Sequence, residues 1–171
     1  MKKQKGFSLI ELLIVVAIIL IIAAIAIPNL LRAKIAANEA SAVGSMRTIV
    51  TAEVSYNSAG WLSGGKQIGF SNALADLGPN AGTCTPPDPT HTCYIDSVLS
   101  GANSAATPKS GYWFSYSPIA AAAGGSNVGF NLNGNPAAPG QTGNRYFFAD
   151  ASGVIRFNPS QSATSADVAL Q

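Results

Sequence analysis

Charge is scarce in this chain. Only 11% of its 171 residues are Asp, Glu, Lys or Arg, against roughly 25% in an average soluble domain. Histidine occurs once, at His91, and cysteine twice. No serine–histidine–acid arrangement is evident, no metal-ligand spacing of the CxxC or HxxxH kind occurs, and the eight acids form no obvious pair. Catalysis therefore has no constellation to start from, and the sequence is read as that of a non-enzyme needing no cofactor and no metal. Nor is there a basic patch. Arg32, Lys34 and Arg47 are spread along one predicted helix, which gives nucleic acid no footprint. The length suffices for one modest domain with an appended helix.

What the chain does have is a long apolar run, in "GFSLIELLIVVAIILIIAAIAIP" from Gly6 to Pro28. Leu9 to Ile27 is apolar throughout except for Glu11. As a helix at 1.5 Å per residue this run is about 28 Å long, close to the thickness of a hydrocarbon core. Lys2, Lys3 and Lys5 precede it, and without them the other side chains sum to seven basic against eight acidic, or −1. Lysines beside a first apolar run keep to the cytoplasmic side, so the residues beyond Pro28 are expected outside. A cleavable secretory signal with "AIA" (Ala24 to Ala26) as its cut site is one alternative, but the run is longer than such signals need and contains an acid. A plain membrane anchor is the other. It leaves Glu11 unexplained, at a cost of about 2.5–3.5 kcal/mol for a charge at the helix centre and less near the end.

An acid in such a place calls for a cation. The apolar run supplies none, but a cut between Gly6 and Phe7 would create a new α-amine. Phe7 and Glu11 are i and i+4, one turn apart on one helix face. The amine could neutralise Glu11 of its own chain or of a neighbouring copy, and only the second arrangement sets register between subunits.

On these residues the segment "KGFSLIELLIVVAIILIIAAIAIP" resembles the N-terminal signal and helix of type IV pilins and secretion pseudopilins. The resemblance covers residues 5–58. It implies cleavage after Gly6 by a prepilin peptidase, N-methylation of Phe7, and Glu11 as the acid that serves assembly. It also implies a precursor held in the inner membrane by a single pass, its head outside the cytoplasm. Polymerisation on an assembly platform, through the N-terminal helices of identical or homologous subunits, would then give an extracellular or periplasmic filament. A type IV pilus subunit is the first reading, a type II secretion pseudopilin the second, and a membrane-anchored binding domain a remote third.

Beyond Ile27, Pro28 lacks an N–H and crowds the carbonyl of Ala24, so it is expected to kink or loosen the helix. Ala36, Ala40, Val43, Val50 and Val54 then form a stripe at helical spacing, with Ile35, Met46 and Ile49 alongside and Glu39 and Glu53 interspersed. The helix is expected to run from Ser8 to about Ser58, weakened at Gly44 by about 1 kcal/mol. The predicted organisation is α+β: a leader over 1–6, a helix over 7–58, an irregular connection over 59–110, an antiparallel sheet of about four strands over 111–158, and a polar, poorly ordered tail over 159–171. The sheet would lay one face on the amphipathic half of the helix, as in the pilin fold.

The connection opens on "SAGWLSGGKQ", in which Gly60, Gly65 and Lys66 fit G-x-x-x-x-G-K. Gln67 stands where a phosphate loop needs Ser or Thr, and a helix precedes where it needs a strand, so a flexible exit turn is the better account. A short helix is expected around Asn72–Leu77. Cys84 and Cys93 in "CTPPDPTHTC" are read as a disulfide, adding about 2–3 kcal/mol by loop entropy. A metal site with Asp88 and His91 is the weaker alternative. Many type IV pilins have their disulfide nearer the C-terminus, so no adhesive role is carried over to this one. Strand candidates are Tyr112–Ser117, Val128–Leu132, Arg145–Ala149 and Val154–Phe157, the last two a hairpin about "DASG". Trp113 and Phe147 are assigned to the face away from the helix, exposed for subunit contact or packed under a loop. Asp150, Ser152 and Asp96 are too few oxygens for a calcium site of six to eight ligands.

Overall fold

A computed structural model describes residues 7–84, 87–121 and 125–170. The leader with Gly6 lies outside them, as do parts of the cysteine loop and of the loop after Ile119. Helix α1 spans Leu9–Ala59 with Pro28 inside it. The chain forms two compact units, residues 1–34 and 35–171, and α1 contributes to both.

In the first unit the helical side chains are almost all exposed, Leu9 to 79% and Ile25 to 64%, and they are apolar except at Glu11, Asn29, Arg32 and Lys34. No other described residue of the unit covers them, and α1 is long and apolar enough there to cross a membrane.

In the second unit α1 has a buried seam: Ile35, Glu39, Ala42, Met46, Ile49, Glu53 and Tyr56. These are spaced alternately four and three apart, the period that keeps one helix face turned inward. Of the stripe expected from sequence, Ile35, Val43, Met46 and Ile49 are buried, while Ala36, Ala40 and Val54 are exposed. The expected stripe is centred too far round the helix because it is drawn through Ala and Val positions, with the acids only interspersed.

A 3₁₀ turn at Leu74–Leu77 stands where a short helix is expected. Short strands β1 (Leu62–Ser63) and β2 (Lys66–Gln67) pair about Gly64 and Gly65, whose φ angles are 59° and 80°. Two successive positive φ angles suit a tight hairpin turn. The stretch that mimics a phosphate loop is therefore a hairpin. Helix α2 is one turn, Ser97–Ser100, capped by Asp96, whose carboxylate accepts the Leu99 N–H at 2.9 Å.

The main sheet is antiparallel with five strands in chain order: β3 (Tyr112–Ala120), β4 (Asn127–Pro136), β5 (Tyr146–Asp150), β6 (Arg156–Asn158) and β7 (Val168–Ala169). The fifth strand comes from the tail that composition marks as disordered. Three contacts tie that tail down: Asn133 Nδ2 donates to Ala163 O at 2.7 Å, Arg156 Nη1 to Asp167 O at 2.9 Å, and Asn158 Nδ2 to Asp167 Oδ1 at 2.9 Å. The β5–β6 hairpin forms as expected, with Gly153 N–H donating to Asp150 O at 3.0 Å.

Cross-strand pairs share a sheet face, so register fixes what points at α1. Tyr116 pairs with Leu132, Phe114 with Gly134, and Gly134 with Phe147. All of these except the partly buried Tyr116 are fully buried or lack a side chain, and they join Met46 and Ile49 in the core. A Cβ on Gly134 would approach Met46 Sδ to 3.1 Å, so glycine lets helix and sheet meet there. Phe147 is thus core, 0% exposed, contrary to the face assigned from sequence. Arg145-Tyr-Phe-Phe offers no alternation to choose a face, and a slip of one residue inverts the assignment. Trp113 does lie on the far face, half-buried.

Candidate functional site

The residues singled out at the N-terminus divide by position. Phe7 is 77% exposed. Ser8 directly precedes α1, and its backbone N–H donates to Glu11 Oε2 at 3.0 Å. The acid three residues into the helix reaches back to a free N–H at the helix start, which is one half of a capping box. The motif Ser8-Leu-Ile-Glu11 is legible in the sequence, but the apolar surroundings draw attention from it. Glu11 therefore has a local role in the folded chain, and among the described residues it has no cationic partner. Pro28 lies within the helix; its ring removes one donor from the ladder.

The two acids that the sequence intersperses along the stripe lie in the buried seam itself. Glu39 accepts the backbone N–H of Asn144 at 2.9 Å and of Arg145 at 3.2 Å through Oε1. Its Oε2 takes the Arg145 guanidinium Nε at 2.7 Å. That guanidinium lies over Phe147 and Phe157, 5.6 and 5.5 Å from the ring centroids, so the cation is held by carboxylate and ring faces together. Glu53, 0% exposed, accepts the Ser71 N–H at 3.0 Å and touches the Ser71 hydroxyl. Each acid fastens the helix to a separate part of the head. The signal that could have found them is the spacing of the seam itself, which passes through both positions.

Cys84 and Cys93 form a disulfide with Cα atoms 5.7 Å apart. Asp88 and His91 do not join them. His91 Nδ1 is 3.6 Å from Asp88 Oδ1, and the Asp88 carboxylate accepts the Thr90 N–H at 2.7 Å and the Thr90 hydroxyl at 2.6 Å. Those bonds, the Thr90 hydroxyl foremost, hold Asp88 below the usual carboxylate range. With both thiols oxidised the metal alternative loses its strongest ligands. Asp150 accepts the Ser152 N–H at 2.9 Å within its hairpin turn, and Asp96 serves as a cap, so neither is gathered into a calcium loop.

Comparison with known proteins bears on the same end of the chain. The profile of the prokaryotic N-terminal methylation motif matches residues 1–27. The chain is 56% identical over 52 residues to the type IV wide pilus major component PilA4 of Thermus thermophilus, a stretch that is 30% of this chain and 34% of that protein. It is 44% identical over 54 residues to the type IV major pilin protein PilA of Myxococcus xanthus, 32% of this chain and 24% of that protein. The matched stretches thus span about a third and a quarter of these relatives. No solved structure matches the chain.

Proposed function

We propose that this chain, which carries the N-terminal methylation motif and shares a helix-length stretch with two type IV pilins, is a structural subunit of a type IV pilus. One observation carries the reading: an acid, Glu11, in an apolar helix that no other described residue of its unit covers. Exposed apolar surface of that length has two uses, insertion in a bilayer and packing against like helices. A subunit stored in the membrane and then polymerised uses it for both. In this reading the prepilin peptidase cuts after Gly6, Phe7 is N-methylated, and the Phe7 amine of one copy offsets Glu11 of the next. The head stays outside the cytoplasm, and an assembly platform feeds subunits into the filament. The same N-terminal chemistry would serve a type II secretion pseudopilin. The names of the two relatives favour the pilus.

The test is the mature N-terminus. Mass spectrometry of the chain recovered from its source should find it beginning at Phe7 and heavier by one methyl group, about 14 Da. A chain still carrying residues 1–6 when assembled would refute the reading, because its amine would sit too far from Glu11. Immunolabelled electron microscopy then separates surface pili from short periplasmic filaments.

A further inference from the structure

Glu53 is the one carboxylate among the described residues that is wholly buried, 0% exposed, and has no cation against it. Its neighbours come from three elements. On α1 itself the nearest titratable side chain is Tyr56, one turn on; from the 3₁₀ turn comes Asp76; from β3 comes Tyr116. None carries positive charge. The residue in direct contact is Ser71, from the segment between β2 and the 3₁₀ turn, and its hydroxyl decides the question. That hydroxyl lies in hydrogen-bond contact with Glu53 Oε1 and, at 3.1 Å, with Ala73 O. A serine has one hydroxyl hydrogen. One hydrogen can be shared between two acceptors only as a weak bifurcated bond; two well-formed bonds need a second hydrogen between Glu53 and Ser71, and the carboxyl group is its one source. Tyr116 also lies against the carboxyl group, but its hydrogen serves the tyrosine's own contacts, Ser71 O at 3.1 Å among them, and does not lie between Glu53 and Ser71 Oγ.

We propose that Glu53 carries a proton in the folded head, donating to Ser71 Oγ, and that its ionisation releases the 69–78 segment from α1. The proton completes a chain of donors in which Glu53 donates to Ser71 Oγ and Ser71 Oγ to Ala73 O, while Ser71 N–H donates to the second carboxyl oxygen. Ionisation removes the first link. The hydroxyl must then turn to the carboxylate, Ala73 O loses its partner, and a charge is left where water does not reach. The cheapest relief is for the segment to lift and admit water. Its other ties are neutral: Asn127 Nδ2 donates to Phe70 O, Ser71 O and Asn72 Oδ1 at 2.9 to 3.1 Å. Burial, the largest influence, raises Glu53 above its ordinary value of 4.5; hydrogen bonds from Ser71 and Tyr116 oppose it, and Asp76 adds to it. An acid raised on folding binds its proton more tightly in the folded chain than in the unfolded one. Its contribution is whole below the ordinary carboxylate range and is lost as pH rises through the folded value. The head should therefore loosen at this one place with rising pH, whatever the chain is for.

Two measurements on the full chain in detergent micelles test this. Infrared spectroscopy at neutral pH should show the carbonyl stretch of a protonated carboxylic acid. On a Glu11→Gln background, which removes the acid of the apolar helix as a second source, the band should persist in Asp76→Asn and vanish in Glu53→Gln, which keeps the shape and a neutral side chain. Amide exchange gives the second readout. In the unaltered chain the opening constant of residues 69–78 should rise up to tenfold per pH unit between the ordinary and the folded ionisation. In Glu53→Gln it should stay flat. A band absent at neutral pH, or exchange in Glu53→Gln that tracks the unaltered chain, would overturn the proposal. If Glu53→Gln fails to fold, the band in Glu11→Gln, with and without Asp76→Asn, decides the matter alone.

Discussion

Glu11 and Glu39 lie on the same helix, and each is an acid among apolar neighbours, yet their surroundings could hardly differ more. Glu39 has its answer within the chain: two backbone N–H groups and the Arg145 guanidinium fill its oxygens. Glu11 has one backbone N–H, from Ser8, and an apolar helix around it that no other described residue of its unit covers. The residues 35–59 of α1 form a seam whose partners are all intramolecular, so that part of the helix is finished when the head folds. The residues before them are left with apolar area and one acid whose cationic partner is absent among the described residues. Folding alone does not complete them. The difference marks where intramolecular structure ends and, if the chain is a filament subunit, where a second copy is needed.

The largest effect is expected from removing the Glu11 charge while keeping its local bond. Glu11→Gln retains an oxygen for the Ser8 N–H but cannot pair with an amine, so it separates capping from assembly. Filament yield should fall nearly as far for Glu11→Gln as for Glu11→Ala, with membrane insertion unchanged in both, as judged by quantitative blotting of sheared filaments and membranes. A Glu11→Gln variant that assembles normally would reduce Glu11 to a helix cap. Glu39→Ala should do the reverse, leaving the N-terminal segment alone and weakening the head. It orphans two N–H groups and a partly exposed guanidinium, and the loss is expected to be about 2–4 kcal/mol after discounting for solvent at Arg145. Urea denaturation followed by tryptophan fluorescence, on the full chain in micelles, measures it.

Much of this arrangement is legible in the sequence, for reasons that also explain the failures. The expected helix bounds lie within a residue of those observed, because apolar period and the glycines after Ala59 act locally. The hairpin about Asp150–Gly153 and the Cys84–Cys93 pairing are also local, each closing fewer than ten residues. The sequence sets the seam acids along the stripe but gives them no partners, because only residues about a hundred positions away in sequence supply those of Glu39. Phe147 is misplaced because three adjacent aromatics carry no alternation. The tail strand β7 escapes notice because two residues of Val and Ala give no pattern, and its order depends on Asn133, Arg156 and Asn158. At the N-terminus the Ser8–Glu11 motif is available but easily overlooked, since an acid in an apolar run invites a long-range explanation before a short one.

The smallest expected effect is also the one that tells most about the outer side of the second half of α1. Gly44 is exposed, turned away from the buried seam, and a Cβ built there meets nothing within 4 Å. Its cost to the helix is conformational, so Gly44→Ala should stabilise the head by about 0.5–1 kcal/mol in the same urea measurement. If the second half of α1 is complete once the head has folded, filament yield should be unchanged by this substitution. If yield falls while stability rises, the methyl has met something the isolated chain does not contain, and the line between finished and unfinished helix must be drawn beyond Gly44 rather than at Lys34.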